Sequence, residues 1–293
     1  MRCVAGFVFA AFLATLGSAE ERLHDPHIIA ADGFFYIFST GKGIPIRRSR
    51  DLRTWEQVGT VFSETPAWAK EHVPDAKNIW ASDVTFFGDR YHLYYSVSTF
   101  GKNRSCIGLA TNVTLDRANP KYQWKDEGLV IETRVGDPWN SIDACPVLDR
   151  EGQPWLAVGS FWSGIKLLRL DPKTGKRADE ELIPLAARPA PGAIEAPYII
   201  WRDGFYYLFV SFDLCAKGAD STYRIMVGRS KLIQGPYQDR EGREMKHGGG
   251  TQVLAGEGTV RGPGHNSILH LGDRHWLVCH YYDAADRGIA KLL

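Results

Sequence analysis

Four carboxyl residues and one histidine occur at the same position of a pattern that recurs along the chain. Each of the five opens a short apolar segment, which is followed by a turn and an aromatic-rich segment. If these side chains converge, packing alone does not explain them, because clustered carboxylates repel one another and lose hydration on burial. The pattern therefore indicates chemistry or ion binding. The five residues are Asp25, Asp83, Asp143, Glu195 and His265.

Three of the acids meet the needs of glycosidic bond hydrolysis, in which a carboxylic acid protonates the leaving oxygen and a carboxylate activates water. Glu195 is predicted to be the acid, because its apolar neighbours Ile194 and Ala196 create a setting that raises the pKa of a carboxyl group. Asp25, in a His-Asp-Pro sequence, is predicted to be the base. Asp143 would raise the pKa of the acid by like-charge proximity and orient it.

A structural role is the alternative for each of these residues, since an Asp or Glu at the start of a strand is more often a turn or cap residue. The shared position of Asp25, Asp143 and Glu195 within the repeat favours a catalytic role for these three. Asp83 has the same position but lacks a supporting motif. It is predicted to be a structural residue that lines a channel.

The element that must position these residues is a β-hairpin, which occurs five times. Each copy has two runs rich in aromatic and β-branched residues, joined by a turn with Gly or Asp, which tolerate a positive φ. Repeats of roughly 50 to 70 residues with about four strands each are typical of propeller blades. The sequence therefore predicts an all-β, five-bladed β-propeller. A β-sandwich, the alternative, does not explain why every copy opens with a polar residue. The copies begin at His24, Ser82, Ile142, Ile194 and Gly264.

The fifth copy is shorter than the others. After Tyr281 and Tyr282 the chain continues only from Gly288 to Leu293, so that one strand of a complete blade is missing. Either the N-terminal segment completes this blade, or the sequence is a shortened version of a longer one.

The first 19 residues are predicted to be a signal peptide. Arg2 precedes an apolar run from Val4 to Leu16, and Gly17-Ser-Ala19 matches a cleavage site. An uncleaved membrane anchor is the alternative, but the run is shorter than the ~20 residues that a membrane span requires. We therefore expect residues 20–293 to form the propeller of a secreted or periplasmic monomer that does not bind membranes.

Charge and motifs exclude several classes of function. The 293 residues carry a formal net charge of +1 without a long run of either sign, which argues against a nucleic-acid partner. The sequence has no GxSxG, HExxH or Walker motif, so serine hydrolysis, zinc proteolysis and nucleotide hydrolysis are not supported.

The cysteines do not form a zinc-binding pattern. Cys3 lies in the predicted signal peptide, and the remaining four are widely spaced without a CxxC pair. An exported chain permits disulfides, but four cysteines allow three pairings, and four free thiols are an equal alternative. These four residues are Cys106, Cys145, Cys215 and Cys279.

Several long motifs resemble glycoside hydrolase family 43, and within it the secreted endo-1,5-α-L-arabinanases. The resemblance covers nearly all of the chain after the signal peptide. The motifs include His24-Asp-Pro26, SRDLRTW at 49–55, YYSVSTFG at 94–101, GSFWSGI at 159–165, Ile194-Glu-Ala-Pro197 and Gly262-Pro-Gly-His265.

The resemblance implies hydrolysis of arabinan with inversion at the anomeric carbon, with Asp25 as base, Glu195 as acid and Asp143 as the residue that tunes and orients the acid. It also implies that His265 faces an ion, usually calcium, that is held at the channel centre mostly through water. An oxygen-rich shell suits a hard cation of this kind. The sugar contacts that it implies are Trp80, Phe100, Asn140 and Ser160, with Trp162 as a further platform.

Two other functions stay open at this point. An exo-acting α-L-arabinofuranosidase or β-xylosidase would share the three carboxyls, and a non-catalytic sugar-binding propeller would share the fold. The sequence also departs from the usual family pattern at Ser82, at Ala144-Cys145 and at Cys215-Ala216. None of these departures removes a predicted catalytic carboxyl.

Overall fold

The computed structural model describes residues 22–189 and 192–293. The predicted signal peptide, residues 1–19, lies outside the described residues. The described chain forms five antiparallel sheets that are arranged as a five-bladed β-propeller, which confirms the predicted fold class. Within these residues, no helix has the length and apolar character needed to cross a membrane.

Each blade is a meander of strands in sequence order, from the channel outwards. The first blade contains β1 His27–Ala31, β2 Phe34–Phe38, β3 Pro45–Ser49 and β4 Glu56–Thr60. The second contains β5 Trp80–Phe87, β6 Arg90–Val97, β7 Ser105–Asn112 and β8 Lys125–Thr133. The third contains β9 Cys145–Leu148, β10 Pro154–Val158, β11 Ile165–Arg169 and β12 Ile183–Ala186. The fourth contains β13 Ile194–Arg202, β14 Phe205–Phe212, β15 Arg224–Ser230 and β16 Thr251–Ala255. The fifth contains β17 Val260–Leu271, β18 Arg274–Asp283 and β19 Ile289–Leu292.

Helical segments are short and lie between strands. One α-helix, α1 at Ala67–His72, is found in the described residues, in the connection from the first blade to the second. Pro66 precedes it, where the missing backbone N–H of a proline has no effect on the helical hydrogen bonds. The 3-10 turns are Gly218–Asp220, Met245–His247 and Ala284–Asp286.

The innermost strands of the five blades line a central channel. β1 contacts β5, β5 contacts β9, β9 contacts β13, β13 contacts β17 and β17 contacts β1, so that the ring closes. A four-stranded antiparallel blade returns the chain to the end at which it began, and the innermost strands therefore all start at the same end of the channel. We call this end the upper face. It also carries the loops between the second and third strands of each blade.

The hairpin turns follow the chemistry that their residues predict. In the β1–β2 turn, Asp32 and Gly33 have φ values of 52° and 75°, and Ala31 pairs with Phe34 on either side. Asp203 and Gly204 adopt the same conformation between β13 and β14, with φ values of 48° and 83°. Two consecutive positive φ values match the right-handed twist of the flanking strands.

Apolar side chains fill the space between neighbouring blades. Phe38 of the first blade and Tyr95 of the second belong to one buried cluster, and Leu167 of the third and Leu208 of the fourth belong to another. Burial of each such side chain contributes about 1.5 to 3 kcal/mol. This packing fixes the blades relative to one another and holds the channel-lining residues in place.

The fifth blade has three strands, whereas each of the others has four. Next to its outermost strand, the backbone N–H of Leu23 donates a 3.1 Å hydrogen bond to the carbonyl oxygen of Ala290. Leu23 is also buried. The segment that leads into β1 therefore packs on the fifth blade, at the point where the propeller closes.

Candidate active site

The residues at the upper ends of four innermost strands have an unusual backbone conformation. Asp25, Asp143, Ala196 and His265 have φ values of 52°, 61°, 55° and 49°. Left-handed backbone at residues other than glycine costs roughly 1 to 3 kcal/mol and occurs preferentially at functional sites. β13 and β17 also shift register here, which re-aims their side chains. Asp83 has no positive φ and pairs with Tyr94 of β6, after a register shift of β5 between Trp80 and Ser82.

The carboxylate of Asp25 is buried and contacts a hydroxyl group and two imidazole rings. Its Oδ2 accepts a 2.5 Å hydrogen bond from the hydroxyl of Thr40. Its Oδ1 lies 2.8 Å from Nδ1 of His24 and 3.2 Å from Nδ1 of His265. Burial alone would raise the pKa of Asp25, but the charges and hydrogen bonds of His24 and His265 hold it well below its usual value. Asp25 is therefore ionised, as a general base requires.

His280, which sequence reasoning did not identify, supports Asp25 from the fifth blade. Its Nδ1 accepts a 3.1 Å hydrogen bond from the backbone N–H of Asp25, and its ring stacks on His24 at 3.9 Å. Burial lowers the pKa of His280 well below its usual value, so the ring is neutral. Tyr282 bonds to Nε2 of His24 at 2.6 Å. The only sequence signal was that His280 closes the fifth repeat.

Asp143 and Glu195 are linked through the backbone. Oδ2 of Asp143 accepts a 3.1 Å hydrogen bond from the N–H of Ala196, the residue after Glu195. Burial raises the pKa of Asp143 to about 8, and the carboxylates of Glu195 and Asp25 add to this shift, whereas His265 opposes it. Burial likewise raises the pKa of Glu195. The Asp143 and Glu195 pair therefore retains a proton, whereas Asp25 is ionised.

The side chain of Glu195 contacts three donors. Ser160, predicted as a sugar contact, donates a 2.6 Å hydrogen bond to Oε2. Cys215 and Tyr223 donate to Oε1, Cys215 over a distance of 3.2 Å. Tyr223 was not identified from the sequence as a site residue.

His265 lies close to the carboxyl group of Asp25 and within electrostatic range of Asp143 and Glu195. Burial would lower its pKa, but Asp25, Asp143 and Glu195 together raise it to about 9, so that the ring is a cation near neutral pH. The amide of Asn266, the next residue in the chain, is buried, and neither its oxygen nor its nitrogen has a hydrogen-bond partner among the described residues. One imidazole, unpaired polar atoms and a surrounding negative field fit a hydrated hard cation.

Asp83 stands apart from the other acids. Its Oδ1 lies 2.8 Å from Nδ1 of the buried residue His27, on the neighbouring innermost strand. Burial raises the pKa of Asp83, and His27 partly opposes this shift. Its position within a regular strand pairing fits the predicted structural role in the channel wall.

The other predicted sugar contacts differ in exposure. The side chain of Trp80 is half-buried at the start of β5, whereas Phe100 is 69% exposed and Trp162 is 42% exposed. These three can present an aromatic face to a sugar. Asn140 is 2% exposed, and its Oδ1 accepts a 2.7 Å hydrogen bond from Ser105.

All four cysteines in the described part of the chain are free. Cys106, Cys145 and Cys279 are buried, and Cys215 is partly buried. Cys145, where the sequence departs from the family pattern, lies against the backbone N–H of Ile199 in the wall of the channel.

Comparison with known proteins independently supports glycosidic bond hydrolysis as the chemistry of this site. The sequence profile of a family described as glycosyl hydrolases family 43 matches residues 19–291. The chain is 43% identical, over 99% of its length and 90% of the relative's, to extracellular endo-alpha-(1->5)-L-arabinanase 1 of Bacillus subtilis. It is 40% identical, over 94% of its length and 83% of the relative's, to extracellular exo-alpha-(1->5)-L-arabinofuranosidase ArbA of Cellvibrio japonicus. The structure of Cellvibrio cellulosa alpha-L-arabinanase with arabinohexaose matches with a TM-score of 0.91 and 39% identity, over 94% of this chain and 91% of that chain.

Proposed function

The chain belongs to glycosyl hydrolases family 43 and is a glycoside hydrolase, and on this basis we propose that it is an endo-1,5-α-L-arabinanase. The substrate is arabinan or an arabino-oligosaccharide, in keeping with relatives that are named for this polymer or bound to arabinohexaose. The single observation that carries the proposal is that two carboxyls of one site have opposite surroundings. Asp25 lies against His24 and His265, whereas Glu195 is buried and linked to Asp143 through the N–H of Ala196.

The proposed reaction is one displacement. Asp25 accepts a proton from a water molecule as the water oxygen bonds to the anomeric carbon. The bond from that carbon to the glycosidic oxygen breaks, and Glu195 gives its proton to the leaving oxygen. Attack from the face opposite the leaving group inverts the configuration, as the resemblance to the family implies. Exchange with solvent then returns Asp25 and Glu195 to their starting protonation states.

Asp143 acts on the acid rather than on the substrate in this proposal. Its carboxylate oxygen holds the N–H of Ala196 and so fixes the backbone next to Glu195. The two carboxyl groups are also close enough that ionisation of one disfavours ionisation of the other, so that the pair keeps a proton. Both effects keep the Glu195 proton in place until the leaving oxygen requires it.

We also propose that His265 faces a hydrated calcium ion at the channel centre. The ion would supply positive charge between the acids in place of the ring proton of His265. The neutral His265 ring would then contact the ion directly, while Asn266 and the carboxylates held its water shell. The unpaired polar atoms of Asn266 support this arrangement. The acid–base steps belong to Asp25 and Glu195.

Sugar binding is assigned to the upper face around the three acids. Trp80, Phe100 and Trp162 offer apolar faces that suit an arabinofuranose ring, and Asn140 and Ser160 offer polar groups for its hydroxyls. Ser160 contacts Glu195 directly, so a sugar bonded to Ser160 would lie against the acid.

The protein is proposed to be exported as a monomer. The apolar N-terminal run of the sequence predicts a signal peptide, and both curated relatives described above are named extracellular. Detection of the propeller in the medium or periplasm, without residues 1–19, is the expected result.

An exo-acting enzyme is the second candidate, because a relative at 40% identity is named an exo-α-1,5-L-arabinofuranosidase. A time course of products from linear 1,5-arabinan separates the two functions. We expect a spread of intermediate oligosaccharides early in the reaction. A single short product from the start would favour exo action, and release from xylan alone would favour a β-xylosidase. No product from either polymer would favour a sugar-binding protein.

A further inference from the structure

The carboxyl group of Glu195 is enclosed by three side chains that come from other parts of the chain. Ser160, just after β10, donates to Oε2 at 2.6 Å. Cys215 and Tyr223, both in the connection between β14 and β15, donate to Oε1. We call Ser160, Cys215 and Tyr223 the Glu195 cage. One oxygen of the acid thus has two donors and the other has one.

The ring of Tyr223 is held in a fixed place. It is 2% exposed and lies 6.0 Å from the ring of His280 at an interplanar angle of 30°. The ring also packs so closely on Gly264 that a Cβ at residue 264 would overlap it. The φ of Gly264 is outside the left-handed region, so the close approach of Tyr223 is what requires glycine there.

The thiol of Cys215 is a donor at the pH at which glycosidic hydrolysis would occur. Burial and the carboxylates of Glu195 and Asp25 raise the pKa of Cys215, so that the sulfur keeps its hydrogen. The contact of 3.2 Å from Sγ to Oε1 is within hydrogen-bond range for sulfur.

We infer that Tyr223 and Cys215 are positioning residues for the general acid, which reserve Oε1 as the unprotonated oxygen and leave the transferable proton on Oε2. This inference rests on the proposed function of the same site. An oxygen that already accepts two hydrogen bonds is a poor position for a proton, whereas the Ser160 hydroxyl beside Oε2 can rotate as the proton leaves. The proton therefore has one defined starting point.

The cage also acts during proton transfer. As Glu195 protonates the leaving oxygen, its carboxylate becomes charged, and the donors of the cage are already directed at it. Their hydrogen bonds are stronger in the transition state than in the ground state, because the acceptor gains charge. Loss of the Tyr223 hydroxyl should therefore lower kcat roughly ten- to hundredfold, about 1.4 to 2.7 kcal/mol, and leave KM nearly unchanged.

The matched test compares Tyr223→Phe with Tyr237→Phe. Tyr237 is also a fully buried tyrosine, but its hydroxyl donates to the carbonyl of Ile233, in the loop after β15. We expect Tyr223→Phe to lower kcat on linear arabinan and to move the basic limb of the pH profile to higher pH. The limb moves to higher pH because the Tyr223 hydroxyl stabilises the ionised form of Glu195, and its removal therefore raises the pKa of Glu195. Tyr237→Phe should lower the melting temperature without moving that limb.

A second readout uses a leaving group that does not need a proton. On a nitrophenyl arabino-oligosaccharide, Tyr223→Phe should retain nearly wild-type kcat, because departure of the phenolate does not depend on the acid. Cys215→Ser retains a donor and should resemble the wild-type protein, whereas Cys215→Ala should show part of the Tyr223→Phe defect on arabinan.

Two results would overturn the inference. One is an equal loss of kcat by Tyr223→Phe on the polymer and on the nitrophenyl substrate, which would indicate a general structural defect. The other is a pH profile for Tyr223→Phe that matches that of Tyr237→Phe. A wild-type protein that hydrolyses no arabinan would instead overturn the proposed function, and the inference with it.

Discussion

At the scale of single residues, the site works by giving similar carboxyl groups opposite protonation states. Asp25 is as buried as Asp143, yet His24 and His265 keep it ionised, whereas Asp143 and Glu195 have raised pKa values. The difference comes from which charges surround each acid, because desolvation alone would raise all three pKa values. Such a pair of environments is what assigns acid and base in a hydrolase.

The pH dependence of hydrolysis should reflect this separation. The general acid must be protonated, so kcat/KM should fall as pH rises through the pKa of the Asp143 and Glu195 pair, which is raised to about 8 for Asp143. The base is ionised at all but strongly acidic pH. Rates measured from pH 4 to 10 should show a plateau in the acidic to neutral range. A decline that is complete below neutral pH would contradict a raised pKa.

Thr40 should influence the pKa of Asp25, the proposed base. Its hydroxyl donates to Asp25 and accepts from the N–H of Ala81, so Thr40→Val removes a donor from the carboxylate and leaves that N–H unpaired. We expect the pKa of Asp25 to rise, the acidic limb of kcat/KM to move to higher pH, and stability to fall by about 1 to 3 kcal/mol. Thr174→Val, in an exposed turn, serves as the control. An unmoved acidic limb would show that Thr40 does not tune the base.

The positions of the site carboxyls could be predicted from the sequence, because each carboxyl residue occupies the same position within its copy of the repeat. Their partners could not. His280 bonds to Asp25 across 255 residues, and Thr40 reaches it from the loop after β2. Contacts of this kind depend on how the ring closes, which local patterning does not encode.

At the scale of secondary-structure elements, the hairpin turns and the irregular upper ends of the innermost strands have different roles. The hairpin turns set the register of each blade. Their positions were predicted correctly from turn residues such as Asp32 and Gly33. The register shifts of β13 and β17 were not predicted, since they depend on cross-strand pairing. These shifts lie next to Glu195 and His265 and turn both away from the regular alternation of side chains.

A turn prediction can be tested away from the site. Gly33 has a φ of 75° and open space around the position of a Cβ, so Gly33→Ala should cost only the backbone strain, roughly 1 to 2 kcal/mol. Asp32→Gly in the same turn should be neutral or stabilising. Urea unfolding measures both, and arabinan hydrolysis should be unchanged. A loss of stability for Asp32→Gly equal to that for Gly33→Ala would contradict the assigned turn conformation.

At the scale of the whole molecule, the closed ring brings five distant strand ends to one place. β17 contacts both β1 and β13, so that His265 and Asp25 meet although they are far apart in sequence. The number of blades followed from the repeat. The repeat did not predict that Leu23 packs on the three-stranded fifth blade, because the sequence was compatible with more than one way of closing that blade.

The proposed ion should stabilise the ring as well as assist catalysis. A ligand at 100 times its dissociation constant contributes about 2.7 kcal/mol to the folded state, so calcium should raise the melting temperature of metal-free protein. His265→Ala should remove this increase. Magnesium is the control, because its small, strict coordination shell fits a loose site poorly. A melting temperature that does not respond to calcium in the wild-type protein would overturn the proposed ion.

The proposed mechanism requires Glu195 to be the general acid of arabinan hydrolysis. Initial rates and products on linear 1,5-arabinan for the wild type, Glu195→Ala and the control Glu180→Ala, an exposed residue of the third blade, test it most directly. We predict a roughly 10²- to 10⁴-fold loss of turnover for Glu195→Ala with an unchanged circular dichroism spectrum, and no loss for Glu180→Ala. Wild-type turnover by folded Glu195→Ala would show that Glu195 is not the general acid.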